Sequence, residues 1–543
     1  MTTLLEFVSG LLDGLGLLAF SLLLGGLAYV VVVLQGSRLP PSPNPSLSQR
    51  SFDVIFYSGA TLIALRLLQL CFKYAALGQV VGDDLWAAFV QTELFRAGLL
   101  SVGIIGGLVW SVRWVSRQPT NILWWGVVSF FVVGLLVNEA RLTHAASRLE
   151  GREWLMALTM VHVLGATVWA GSVSHLLISW WTLRGNPRQA SLWPGLVARF
   201  SYIGVPSMGL IIGPGVYLAW RYVGGFNGLV GTGYGNMVLV KVCFLLLVIL
   251  LAILNFGAGR RWRPTQEASF FTQRVSAYVE IEIILAVGLL FTAASLTGFP
   301  PAVDVSGDTA TPRELWVMFD PKIPRLTGPE PAWIDAPELT NLTTGEMGKK
   351  EDTSWDRFNH NISGAIVIAM ALLAMLDLLV QVKWARCWPL LFVAFSILIF
   401  VFSNPDHWPL GFIGFSDSLQ STEVVQHWLA AFVVFGLGWF EWQTRQSMFH
   451  QKMTKFIFPS LCIVGGIILL THSHSISALK TDFLAQSTHV SMGFLGVVMG
   501  CARWLELRLP HPYARLAGVV SVGSMMLVGC ILLFYVNPEM LNL

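Results

Sequence analysis

The sequence predicts an all-α, polytopic membrane protein of about 14 transmembrane helices with both termini outside, and three observations carry that reading. Hydrophobic residues make up 55% of the chain and charged residues only 12%. Mean hydropathy is +0.65, far above that of soluble domains. The apolar residues fall in runs of roughly 20, the length a helix needs to cross a bilayer, and basic residues favour alternate connections between runs.

The runs begin near Leu11, Val54, Leu94, Ile122, Trp154, Tyr202, Met237 and Tyr278, and then near Ile362, Trp388, Val424, Ile457, His489 and Leu516. The first is too long for a signal-peptide core and follows no basic residue, so it reads as a retained helix. Alternate connections carry Arg38 and Arg50, Arg113 and Arg117, Arg184, Arg188 and Arg199, and Arg260, Arg261, Arg263 and Arg274. The same series continues through Lys383 and Arg386, Arg445, Lys452 and Lys455, and Arg503, Arg508 and Arg515. The opposite short connections hold far fewer, namely Arg141, Arg148, Arg152, Arg221 and Lys480, so the basic series is expected in the cytoplasm.

One outer connection is long, acidic and proline-rich. It suggests an eight-helix membrane domain over 1–298, an extracytoplasmic loop over 299–360 and a six-helix membrane domain over 361–543. The 6 cysteines form no CxxC or CxxCH, which removes a zinc ribbon and c-type haem. No GxxxxGK[ST] occurs, so no nucleotide site of that kind is expected, and nothing supports nucleic-acid binding.

Histidines concentrate on the predicted outer side. His144, His360, His407, His472 and His474 fall in outer connections, His427 and His489 in first helical turns, and His162 two to three turns deep. His175, His450 and His511 lie toward the other side. Imidazole binds copper, zinc and haem iron, and thioether favours Cu(I). Met156 and Met160 share a helical face near His162, and Met492 lies three residues after His489. The candidate metal ligands are therefore His144, His162, Met160, His472, His474, His489 and Met492, with Cu(I) favoured over Cu(II). Against this stands the ordinary reading: interfacial histidine as headgroup-level polarity and membrane methionine as filler. The embedded charges Arg66, Glu93, Arg96, Glu139, Lys241, Glu280 and Glu282 either pair with one another or line a cation path.

The region from about Leu142 to Pro301 resembles the copper-resistance D (CopD) family of bacterial inner-membrane proteins. LTHAASRLE and MVHVLGATVWAGSVSHL are similar to that family's outer GHA segment and H-x6-W-x-GG helix, with His144, His162, Trp169 and Gly171 at matching positions. Arg199-Phe200-Ser201, then GTGYGNMVLVK with Tyr234, Gly235 and Lys241, then Asn255, Arg274 with Glu280, and Pro300-Pro301 follow in the family's order. Thr143 and Ser172 stand where the family has glycine. The resemblance covers roughly a third of the chain. It implies a multi-pass protein of the bacterial cytoplasmic (inner) membrane, in contact with lipid, that takes part in copper uptake or resistance with a periplasmic copper-binding protein.

Within the chain, THSHS before STHVSMGFLGVVMG echoes LTHAAS before MVHVLGATVWAG, as a duplication would. Three functions follow. The first is copper transport or handling through an outward His/Met site, without catalysis. The second is a haem b electron carrier. The third is a copper-delivery factor for a membrane enzyme. His162 and His175 are 13 apart, which turns them roughly 140° from each other on a helix and disfavours stacked haems on that element.

Overall fold

The computed structural model describes residues 2–35, 45–81, 85–186, 190–261, 268–305, 307, 309–328, 344–446, 453–471 and 480–541. Among them, 14 helical stretches are long and apolar enough to cross a membrane, and no β-strand occurs apart from a bridge between His407 and Ile413. Hydrocarbon offers no partner to backbone N–H and C=O groups, so apolar runs of this length become helices.

The chain forms two compact units. In the N-terminal unit (Thr2–Leu229 and Met237–Ser306) the spans are α1 (Thr2–Tyr29), α2 (Pro45–Val81), α3 (Glu93–Arg117), α4 (Ile122–Ala140), α5 (Arg152–Leu183), α6 (Trp193–Val223), α7 (Gly233–Arg261) and α8 (Ala268–Leu296). Sequence signals fix several ends. The Thr92 side chain caps α3 by accepting from Phe95 N–H at 3.2 Å, and Asn121 caps α4 by accepting from Leu123 N–H at 3.0 Å. α6 contains Pro206 and Pro214, which lack the donors of a regular ladder, and stops at Gly224 in the left-handed region.

α1 is central, packing on α2, α5 and α8. Its backbone meets α5 where Gly25 faces Gly171; a Cβ on Gly171 would stand 1.8 Å from the Ser21 carbonyl oxygen. Small residues let membrane helices approach this closely, and dispersion across the contact is the main gain. The outer faces stay apolar, as at Ile122, Leu123, Phe130 and Val133 of α4, which suits contact with acyl chains. Embedded charges pair: Arg66 binds Glu139 at 2.6 Å, Ser101 also donates to Glu139, and Arg141 pairs with Glu93.

The C-terminal unit comprises Val230–Asn236 and Gly307–Leu543. A short helix, α9 (Pro312–Phe319), precedes the spans α10 (Thr344–Val380), α11 (Leu390–Phe402), α12 (Thr422–Arg445), α13 (Ile457–Thr471), α14 (Lys480–Arg508) and α15 (Tyr513–Leu533). α9 starts with a capping box between Thr311 and Glu314. α10 begins at Thr344, inside the stretch expected as loop, because its charged first turns are helical well before the apolar span at Ser354. α15 packs on α10 and α14, and α13 crosses α14 where Gly466 meets Gly493. At one end of this unit Asp377, Glu441, Arg445 and Arg503 form a buried ionic cluster.

Candidate functional site

His162 lies ten residues into α5 and faces α6. Its Nδ1 is 2.9 Å from the Ile211 carbonyl oxygen. A carbonyl only accepts, so Nδ1 carries the proton and the Nε2 lone pair is left for a ligand. Two features of α6 make the approach possible. Gly165 of α5 sits against Leu210 and Ser207, drawing the helices together. The ring then occupies the space above Gly215, where a Cβ would lie 3.0 Å from Cε1 of His162. Ile211 is three residues before Pro214, in the turn that the proline distorts. Lys241 of α7 is close enough to act electrostatically on His162.

His144 opens a short 3-10 turn, His144–Ser147, that packs against α5. It bonds to the Leu296 backbone at the end of α8, and its environment includes Arg148 and Asp304. Burial holds its pKa below the ordinary histidine value, the Arg148 charge adds to that, and the Leu296 bond and Asp304 oppose it. The imidazole is thus neutral, the form able to ligate, at physiological pH. Arg148 reaches Asp304 with both terminal nitrogens, at 2.8 and 2.7 Å, and its guanidinium lies over the Tyr222 ring at 5.3 Å. This fork ties the α4–α5 connection to the turn after α8.

The remaining candidates separate. Met160 packs against the apolar core of the N-terminal unit. His175 of the same helix points elsewhere than His162: its Nε2 bonds to the Leu22 carbonyl of α1 at 3.1 Å, beside Tyr29. The two rings therefore address different helices, in keeping with the helical-angle argument against a haem held by this pair. In the C-terminal unit His489 anchors its Nδ1 on the Ala485 carbonyl at 3.1 Å, and Met492 is buried. His472 and His474 lie outside the described residues. Among the described residues no group of three or more His, Cys, Asp or Glu side chains is placed to hold a metal ion.

The sequence reading missed the neighbours of His489. His360 of α10 lies with its ring 6.0 Å from that of His489 and stacks on Tyr535 at 4.2 Å. Asp356, one helical turn earlier, was a signal for that cluster, since carboxylate and imidazole four apart share a helix face.

Residues 194–296 match the family described as Copper resistance protein D. That match takes in α6, with the Ile211 carbonyl and Gly215 that receive His162, and ends at Leu296, which receives His144. Over 262 residues the chain is 24% identical to "Copper transport protein CutJ" of Bacillus subtilis (strain 168), covering 47% of this chain and 47% of that protein. The chain thus spans about half the length of this curated relative. No solved structure matches. Residues 194–296 are thus similar to the copper resistance protein D family, in a chain whose described residues hold 14 candidate membrane spans.

Proposed function

We propose that the protein moves or hands over copper across the bacterial cytoplasmic membrane, through an outward-facing site built on His162 and served by His144. One observation carries the reading: the Ile211 carbonyl fixes His162 in the tautomer whose Nε2 lone pair is available, inside an apolar span where a polar ring is costly. Both histidines are held by backbone carbonyls of the CopD-like segment, so the segment acts as the frame and the preceding turn and helix bring the donors. The relative's name, a copper transport protein, is in keeping with this cargo.

Cu(I) is the form that suits imidazole and thioether donors together. No ATP-binding motif accompanies the site, so the ion moves down its gradient or by exchange with a carrier, and a periplasmic copper-binding protein is the partner this implies. The bias of basic residues toward the opposite short connections supports an outward placement. Copper bound per molecule of purified protein, measured in wild type and in a His162→Ala variant of unchanged yield and elution volume, tests the reading. A loss of copper is expected in the variant. Full copper in a well-folded variant removes His162, and with it this site.

A further inference from the structure

We propose that His360 and His489 form a second Cu(I) site, in the C-terminal unit, with Asp356 holding His360 in the tautomer that presents Nε2. The inference rests on the reading that the protein handles copper, but on none of the residues of the first site.

The geometry is that of a metal-ligating pair with its supports in place. His360 Nδ1 lies 2.9 Å from Asp356 Oδ1 and 2.8 Å from the Asp356 carbonyl oxygen. A carboxylate or carbonyl that holds one ring nitrogen fixes the tautomer and makes the other nitrogen a better donor. His489 is held in the same sense, Nδ1 to the Ala485 carbonyl. In each ring the anchored atom is Nδ1, so the ligating atom in each is Nε2.

The separation agrees. Two imidazoles that share an ion at about 2 Å from each nitrogen place their ring centroids roughly 5–6 Å apart. The centroids of His360 and His489 are 6.0 Å apart, with the ring planes at 85°. Tyr535 stacks on one face of His360, and the Asn537 side chain donates to Asp356 Oδ2 at 3.1 Å, so the carboxylate is oriented as well as the ring.

Two nitrogen donors match Cu(I), a d10 ion content with linear coordination, whereas zinc asks for four ligands. The site also has an address. His360 and Asp377 are 17 residues apart on α10, so roughly 25 Å separates the imidazoles from the ionic cluster at the other end of the unit. By the charge rule that cluster is cytoplasmic, and the His360–His489 pair belongs to the outer side.

Cu(I) titration of the full-length purified protein against a chromophoric Cu(I) chelator, under reducing conditions, tests this. His360→Ala and His489→Ala should each lose one equivalent that His162→Ala keeps. Asp356→Asn, a change at a positioning residue, should keep the equivalent but bind it about 10–100-fold more weakly. His489→Met replaces one soft-ion donor by another and should recover binding lost in His489→Ala; a purely structural histidine gains nothing from that exchange. X-ray absorption on the copper left in the His162→Ala protein should show imidazole scattering, which keeps the test alive if the alanine variants fold poorly. A folded His360→Ala protein with full copper, or retained copper without imidazole scattering, overturns the proposal. Copper lost only with His162 removes the second site and leaves the first. Copper lost only with His360 and His489 does the reverse.

Discussion

The Ser172 hydroxyl donates to the carbonyl of Gly25 at 2.9 Å, beside the contact of Gly25 with Gly171. The bond joins α5 to α1 at a point where neither helix has room for a side chain. A serine is accommodated at this close contact because its Oγ finds a backbone acceptor on the neighbouring helix instead of a clash. Trp169, two residues before Gly171, is buried in the same region.

Gly171→Ala is expected to force the two backbones apart, at a cost of about 1–3 kcal/mol. Ser172→Ala removes only the hydrogen bond and should cost about 1 kcal/mol. Thermal unfolding in detergent distinguishes them. A Gly171→Ala melting temperature equal to that of wild type means that α1 and α5 do not touch there.

Orientation is tested with a thiol reagent that cannot cross the membrane. Asp304 lies in the turn after α8, and Cys387, an exposed native cysteine, lies beside Lys383 and Arg386 in a connection assigned to the cytoplasm. In intact cells an Asp304→Cys protein should be labelled at position 304 and protected at Cys387. The opposite pattern reverses the topology and moves His144 and His162 to the cytoplasmic face.

Much of the fold was legible because the hydrocarbon core imposes one rule on every span. The run beginning at Ile122 is the helix Ile122–Ala140, and the run near Val424 starts a span at Val424. The start of α10 was not legible: its first turns are polar and charged, and hydropathy reads such residues as loop even where they are helical. His162 stood out as an imidazole in an apolar run, but its partner did not. A backbone carbonyl has no residue type of its own, and only Pro214 and Gly215 hinted that α6 opens a place there. The His360–His489 contact was hidden for a different reason. It joins residues 129 positions apart, which no local spacing can show.

Glu314 gives a pH prediction. Its carboxylate accepts from Lys480 at 2.5 Å and from the Thr311 N–H at 2.7 Å, and these bonds bring its pKa down to about 2, the lysine contributing most. A depressed carboxylate stabilises the fold above its unfolded value and ceases to do so as pH falls through its folded value. The tie between α9 and α14 should therefore persist through mild acid and fail only as pH approaches 2. In Lys480→Met the carboxyl should titrate at higher pH, nearer an ordinary glutamate, as read by carbon-13 shifts of labelled glutamate. An unchanged titration of Glu314 in that variant would show that Lys480 is not its partner.

The buried ionic cluster of the C-terminal unit gives the last prediction. Glu441 Oε1 accepts from Arg445 Nε and from Arg503 Nη2, both at 2.8 Å, and Arg503 continues to Glu506 at 2.8 Å. Arg445 also pairs with Asp377. The cluster thus pins α10, α12 and α14 to one another through charges that water barely reaches. Such a pair gains little over apolar residues of similar size, since desolvation offsets most of the attraction, but removing one partner strands the other. Arg503→Met alone should therefore cost about 3–5 kcal/mol, as should Glu441→Met. The double variant Glu441→Met/Arg503→Met should be less destabilised than the sum, though Arg445 and Glu506 keep some of the loss because each also loses a partner. Denaturation of the four proteins in one detergent measures the coupling directly. Additive losses would mean that the two charges do not depend on each other, and that Arg445 alone neutralises Glu441.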